Sequence, residues 1–121
     1  METTTLRESV MSKHGLTSQQ IEMIAAILRP YADEIKTVGL FGSRAQGTYR
    51  LNSDIDMVID GELTEADIDH IYTLFDESLL PIKVDVNALH LIDYPPLKEH
   101  IDAVFLPLLT QDDLKKNGAS K

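Results

Sequence analysis

Apolar positions along the chain change period several times, and each change marks an element. In "LTSQQIEMIAAILRPYADEI" the residues Ile21, Ile24, Ile27, Leu28 and Tyr31 recur at the helical period. Thr17 with Gln20 three residues on forms a capping-box signature ahead of them, and Pro30 is placed to end or kink the helix. The pattern then becomes continuous and β-branched in "IKTVGLFG", which predicts a buried strand stopping at Gly42. "DIDMVID" predicts a second strand closed by Asp60 and Gly61. Helical spacing returns in "LTEADIDHIYTLFDESLLP", with Thr64 as N-cap, Ile68, Ile71, Tyr72, Phe75 and Leu79 on one apolar face, and Pro81 as a stop. "IKVDVNAL" predicts a third strand, and "PPLKEHIDAVF" a last helix with proline in its first turn. In "VFLPLL" Pro107 excludes a long helix or a central strand.

The ends are less patterned. Thr5, Glu8 and Gly15 suggest a short helix in residues 1–16, and "QDDLKKNGASK" (residues 111–121) is expected to be a polar, frayed tail. Residues 17–110 make one domain, an α/β (α+β) fold with a small sheet of three to four strands and helices packed mainly on one face. At 121 residues such a chain hides roughly two-thirds of its unfolded surface, enough for one core.

Charge narrows the partners. The formal net charge is −9, and no Lys/Arg stripe with interleaved aromatics appears, so nucleic acid is not expected as a direct substrate; a basic protein suits better. The absence of cysteine excludes disulfides and thiolate chemistry. "METTTLRESV" lacks the form of a signal peptide and no apolar run approaches ~20 residues, so a cytoplasmic, unanchored protein is expected.

The chemistry sits in "GSRAQGTYRLNSDID", residues 42–56. Strand alternation puts Asp54 and Asp56 on one face, with Ile55 on the other and the two Cα atoms about 6.6 Å apart. Carboxylates so placed repel one another unless a cation lies between them, and both can reach a divalent ion. In "KVDVN" the same alternation sends Asp85 away from Val84 and Val86, so three acids can converge. Upstream, Gly42 lets the backbone approach a ligand, and Ser43 is placed to cap a turn whose free N–H groups suit phosphate oxygens. Arg44 follows as a candidate phosphate contact, Arg50 as a weaker one, and Lys83 either neutralises phosphate or shields an edge strand. A phosphate cradle joined to an acid cluster is what phosphoryl or nucleotidyl transfer requires. The four histidines, His14, His70, His90 and His100, have no zinc-ligand spacing, and Tyr72 and Phe75 read as core.

Gly42-Ser43, ten intervening residues, Asp54-x-Asp56 and a later Asp85 resemble the signature of the polymerase-β-like nucleotidyltransferase superfamily. The short chain looks like a minimal nucleotidyltransferase of the MntA antitoxin type, whose partners are HEPN-domain ribonuclease toxins. This resemblance implies that Asp54, Asp56 and Asp85 are catalytic and bind Mg²⁺, with Gly42, Ser43 and Arg44 binding the nucleotide. It further implies transfer of AMP from ATP to a tyrosine of the toxin in a hetero-oligomer. Two alternatives stand beside it: neutralisation by binding alone, and transfer to a small hydroxylated compound of the aminoglycoside type. The second is disfavoured by a length that leaves no room for an extra acceptor domain.

Overall fold

The structure, a computed structural model, describes residues 14–50 and 52–119, with side chains as far as Lys115. In order, the elements are helix α1 (Ser18–Leu28), a 3₁₀ turn (Arg29–Glu34), strand β1 (Ile35–Phe41), a short helix α2 (Gly42–Gln46), strand β2 (Ile55–Gly61) and helix α3 (Glu65–Asp76). Strand β3 (Val84–Ala88), helix α4 (Pro95–Val104), strand β4 (Leu106–Thr110) and helix α5 (Gln111–Ala119) follow. The helix expected ahead of Gly15 lies outside the described residues.

The strands form one mixed sheet in the order β3-β2-β1-β4, with β2 and β3 parallel and β1 antiparallel to both its neighbours. The two most apolar strands, β1 and β2, take the centre, and β4, which carries Pro107, takes an edge, where a missing N–H costs no ladder bond. Alternation then separates two faces. Val38, Leu40, Ile55, Met57, Ile59, Val84 and Val86 point into the larger cluster with Ile24 and Leu28 of α1 and Ile71 and Phe75 of α3. Phe41 and Val58 point the other way, against Ile101 of α4. Each fully buried aliphatic side chain contributes about 1.5–3 kcal/mol, so the larger cluster carries most of the stability.

Capping fixes both major helices. Thr17 and Gln20 exchange bonds of 3.0 Å each at the start of α1, and Thr64 and Asp67 do so at 3.0 and 3.1 Å at the start of α3. Pro30 ends α1 at Leu28 and turns the chain into a 3₁₀ segment.

Two expectations are corrected. Helix α3 stops at Asp76, so Leu79 lies beyond it and is 91% exposed, while Tyr72, on the flank toward the sheet edge, is 41% exposed. Phe75 is buried as expected. The second correction concerns the stretch expected as a frayed tail, which is helical from Gln111 and docked. A reciprocal Thr110–Asp113 pair (2.9 and 3.1 Å) caps it, Leu114 is fully buried, and Gln111 Nε2 donates to the Ala32 carbonyl at 2.9 Å. A single buried leucine behind a capping box was the overlooked signal. Among the described residues no helix is long and apolar enough to cross a membrane.

Candidate active site

The site grows out of the junction of β1 and β2. Phe41 pairs with Asp56 in register, and the next residue, Gly42, has φ +73°. A Cβ at Gly42 would overlap Asp56 Oδ2, so glycine is required here both for its backbone conformation and for the approach of the carboxylate. Helix α2 begins at once and closes at Gly47 (φ +80°), whose N–H donates to the Ser43 carbonyl. Ser43 therefore sits at the second helical position, and Phe41 takes the N-cap place with no side-chain bond. The capping role expected of Ser43 is thus corrected: the turn at Gly42 starts the helix two residues too early for it.

The three acids come together at one end of the sheet. Asp54 stands exposed just before β2, Asp56 is half-buried within it, and Asp85 is exposed on β3 directly in register with Asp56. Parallel neighbours lie about 4.8 Å apart, which makes Asp56 and Asp85 adjacent on one face. Burial, then the charge of Asp85, then that of Asp54 push the Asp56 carboxyl above its ordinary value. Asn87, which alternation places on the same face, donates from Nδ2 to Asp85 Oδ2 (3.4 Å) and to the Met57 carbonyl (3.3 Å). It holds Asp85 by one long bond, and the sequence signal for it was the "DVN" alternation that had already located Asp85.

All three donors are carboxylates, the hard oxygen set suited to Mg²⁺, and a divalent cation would remove the repulsion that raises Asp56. Among the described residues no three His, Cys, Asp or Glu side chains form a group that could hold a metal ion as they stand, so Asp54, Asp56 and Asp85 are neighbours in position and charge and not a formed ligand set.

Arg44 is not brought to this cluster. It is 1% exposed, and its Nε and Nη2 donate to the Ser53 carbonyl (3.3 and 3.0 Å) while Nη1 donates to the His14 carbonyl (2.9 Å). Its guanidinium carbon lies 5.0 Å from the centre of the Tyr49 ring. Burial lowers its pKa, with Tyr49 acting in the opposite direction. The expected phosphate contact is thus corrected: the guanidinium grips the residue before Asp54 and holds the loop. Arg50 is exposed, and its N–H donates to Ser53 Oγ at 2.7 Å within the same turn.

A mixed sheet that sets a Gly-Ser turn against paired carboxylates is a nucleotidyltransferase frame. The chain belongs to the polymerase beta nucleotidyltransferase family, whose model, "Polymerase beta, Nucleotidyltransferase", matches residues 22–113. It is 38% identical over 68 residues to "Putative protein adenylyltransferase MJ0604" of Methanocaldococcus jannaschii, across 56% of this chain and 65% of that protein, somewhat under two-thirds of the relative's length. Its fold is also similar to a chain in the crystal structure of a toxin-antitoxin with AMP-PNP, with TM-score 0.61 and 25% identity over 83% of this chain and 82% of the other. A chain of the MntA-HepT toxin-antitoxin structure shares the fold at TM-score 0.58 and 20% identity, covering 86% and 82%.

Proposed function

We propose that this chain is an antitoxin that transfers AMP from ATP to a tyrosine of a HEPN-type toxin and so neutralises it. The observation that carries the reading is the register pair Asp56–Asp85 beside Asp54, with Gly42 backed directly onto Asp56. Family membership supports the transferase chemistry. The named activity of the archaeal relative and the AMP-PNP of the toxin-antitoxin structure support protein adenylylation with ATP.

In this reading Gly42 and Ser43 offer backbone N–H groups to the triphosphate, and Asp54, Asp56 and Asp85 would hold Mg²⁺. The ion, when bound, neutralises charge on the α-phosphate and the leaving pyrophosphate. Asp85, exposed at the sheet edge, takes the proton of the incoming tyrosine hydroxyl. The tyrosine oxygen forms the new bond to the α-phosphorus as the bond to pyrophosphate breaks, which balances the transfer. Asn87 keeps Asp85 turned to the site through its 3.4 Å bond. Arg44 keeps Ser53, and with it the start of β2, in place.

Purified chain mixed with the protein encoded beside it, Mg²⁺ and ATP should add AMP-sized mass increments to that partner, read by intact mass spectrometry. Asp54→Ala and Asp56→Ala should each abolish them; equal increments from the variants would refute the reading. The net charge of −9 favours a second reading, masking of a basic toxin face by binding alone. It wins if the double Asp→Ala protein still neutralises the toxin in cells at matched expression.

A further inference from the structure

Helix α3 and strand β3 enclose a groove that the chemistry above does not use. Glu65, Ile68, Asp69, Tyr72 and Asp76 recur at helical spacing and form one stripe of α3 along it. The stripe borders two cavities. One, of about 220 Å³, lies between Tyr72, Phe75 and Val84; the other, of about 260 Å³, lies between Ile68, Val86 and Leu91. Tyr72 and Leu91 stand 41% and 39% exposed, and the acids Glu65, Asp69 and Asp76 on the rim are exposed too.

The floor of this groove is an open strand edge. Among the described residues β3 is the outermost strand on its side. The Ile55 N–H donates to the Lys83 carbonyl at 2.8 Å, so Lys83 faces β2. Backbone groups alternate sides along a strand, which turns Asp85 and Asn87 toward β2 and leaves the N–H and C=O of Val84, Val86 and Ala88 directed at the free edge. Side chains alternate across the other axis: Val84, Val86 and Ala88 are buried on the α3 side, and Asp85 projects on the carboxylate face.

We propose that an extended, basic segment of the acceptor protein adds to the free edge of β3, sets apolar side chains into the two cavities, and carries its hydroxyl to Asp85. The proposal rests on the adenylyltransferase reading and says how the acceptor enters. An added strand lies about 4.8 Å from β3, and the residue opposite Asp85 falls on Asp85's face with its Cβ about 5 Å away. The residues before and after it fall on the α3 side, toward the cavities. Lysine or arginine farther along would meet Glu65, Asp69 and Asp76, in keeping with the net charge of −9. Lys83, just before the strand, restricts which register pairs without closing the edge, since its own carbonyl is already taken by Ile55.

Two measurements decide it, with the partner encoded beside this chain as the probe. In amide exchange followed by NMR, adding the partner should slow Val84, Val86 and Ala88 by about tenfold or more, while Asp85 and Asn87, already turned to β2, stay unchanged. In transfer kinetics, the double variant Tyr72→Asp/Leu91→Asp should raise the KM for the partner about tenfold or more. Because both positions are exposed, the variant should keep the wild-type melting temperature and the shift produced by Mg²⁺-ATP. Transfer at the wild-type rate with those three amides unprotected would overturn the docking and leave the transferase reading standing. Protection already present in the free chain, or growing with its own concentration, would assign the edge to another segment of this chain or to a second copy, and would equally overturn it. If wild type transfers no AMP, the transferase reading fails, and the alternating exchange pattern alone decides whether the edge binds the partner.

Discussion

Strand β2 presents two surfaces one residue apart. Ile55, Met57 and Ile59 are fully buried against α1 and α3, whereas Asp56 and Asp60, on the other face of the same strand, are half-buried beneath a smaller cluster around Phe41, Val58 and Ile101. The first face is covered by long capped helices, and the second is left open where Asp54, Asp56 and Asp85 meet. Stability and chemistry are thus divided across one sheet, and the apolar face supplies the free energy that lets three like charges stand together on the other.

The division breaks most visibly at Gly42, where the two faces are joined by the turn. Gly42→Ala puts a Cβ into Asp56 Oδ2 and holds an alanine at φ +73°, a conformation costing about 1–3 kcal/mol. AMP transfer should fall by at least about a hundredfold, as it does when a preorganised transition-state group is lost. A variant transferring at the wild-type rate would show that the backbone approach at Gly42 is not needed.

On the apolar face the pattern should invert. Met57→Ala, at a fully buried site, should destabilise by about 2–5 kcal/mol in urea titration. Transfer per folded molecule should stay near wild type, because the Met57 side chain packs only in the core and its carbonyl, which accepts from Asn87, is kept. Loss of activity at unchanged stability would mean the faces are not independent.

How far this division can be read from the chain alone follows from distance along it. The Thr17–Gln20 box, the Thr64 cap and the alternation that separates Asp85 from its valines are local, and the structure places each as the sequence predicts, whereas Asp54, expected on the strand with Asp56, stands just ahead of β2. What escaped depends on distant neighbours. Arg44 looks like a phosphate ligand until His14, thirty residues upstream, supplies the carbonyl that claims its guanidinium. Tyr72 satisfies the helical period, yet it borders a sheet edge that no described strand covers, and the order of strands is not written in any one segment. For α5 the signal was local, a Thr110–Asp113 cap before Leu114, but a polar composition concealed it.

Asn87 tests a smaller part of the comparison, the support of one carboxylate by its neighbour on the same face. Removing its 3.3 and 3.4 Å bonds in Asn87→Ala should lower transfer about tenfold, the low end for residues that orient a ligating group. The melting temperature should hardly move, since both bonds are long and the side chain is only part-buried. Circular dichroism melting beside initial-rate measurements separates the two.

The smallest effect is the stability cost of the charged face itself. The Asp56 carboxyl is raised above its ordinary 3.8 by burial, Asp85 and Asp54, so the folded chain holds its proton more tightly than the unfolded chain. The contribution of Asp56 to stability is therefore favourable below that ordinary value and is lost as pH rises through the raised folded value. Asp56→Asn removes the charge and should melt higher than wild type at neutral pH in chelator, with the difference shrinking to nothing as pH falls below the carboxylate range. Mg²⁺-ATP should reverse the ranking, because a ligand at a hundred times its Kd stabilises the binding-competent wild type by about 2.7 kcal/mol. Wild type and variant melting together at neutral pH, both with and without Mg²⁺-ATP, would mean that the carboxylates neither repel nor share a cation and that the open face is surface rather than site.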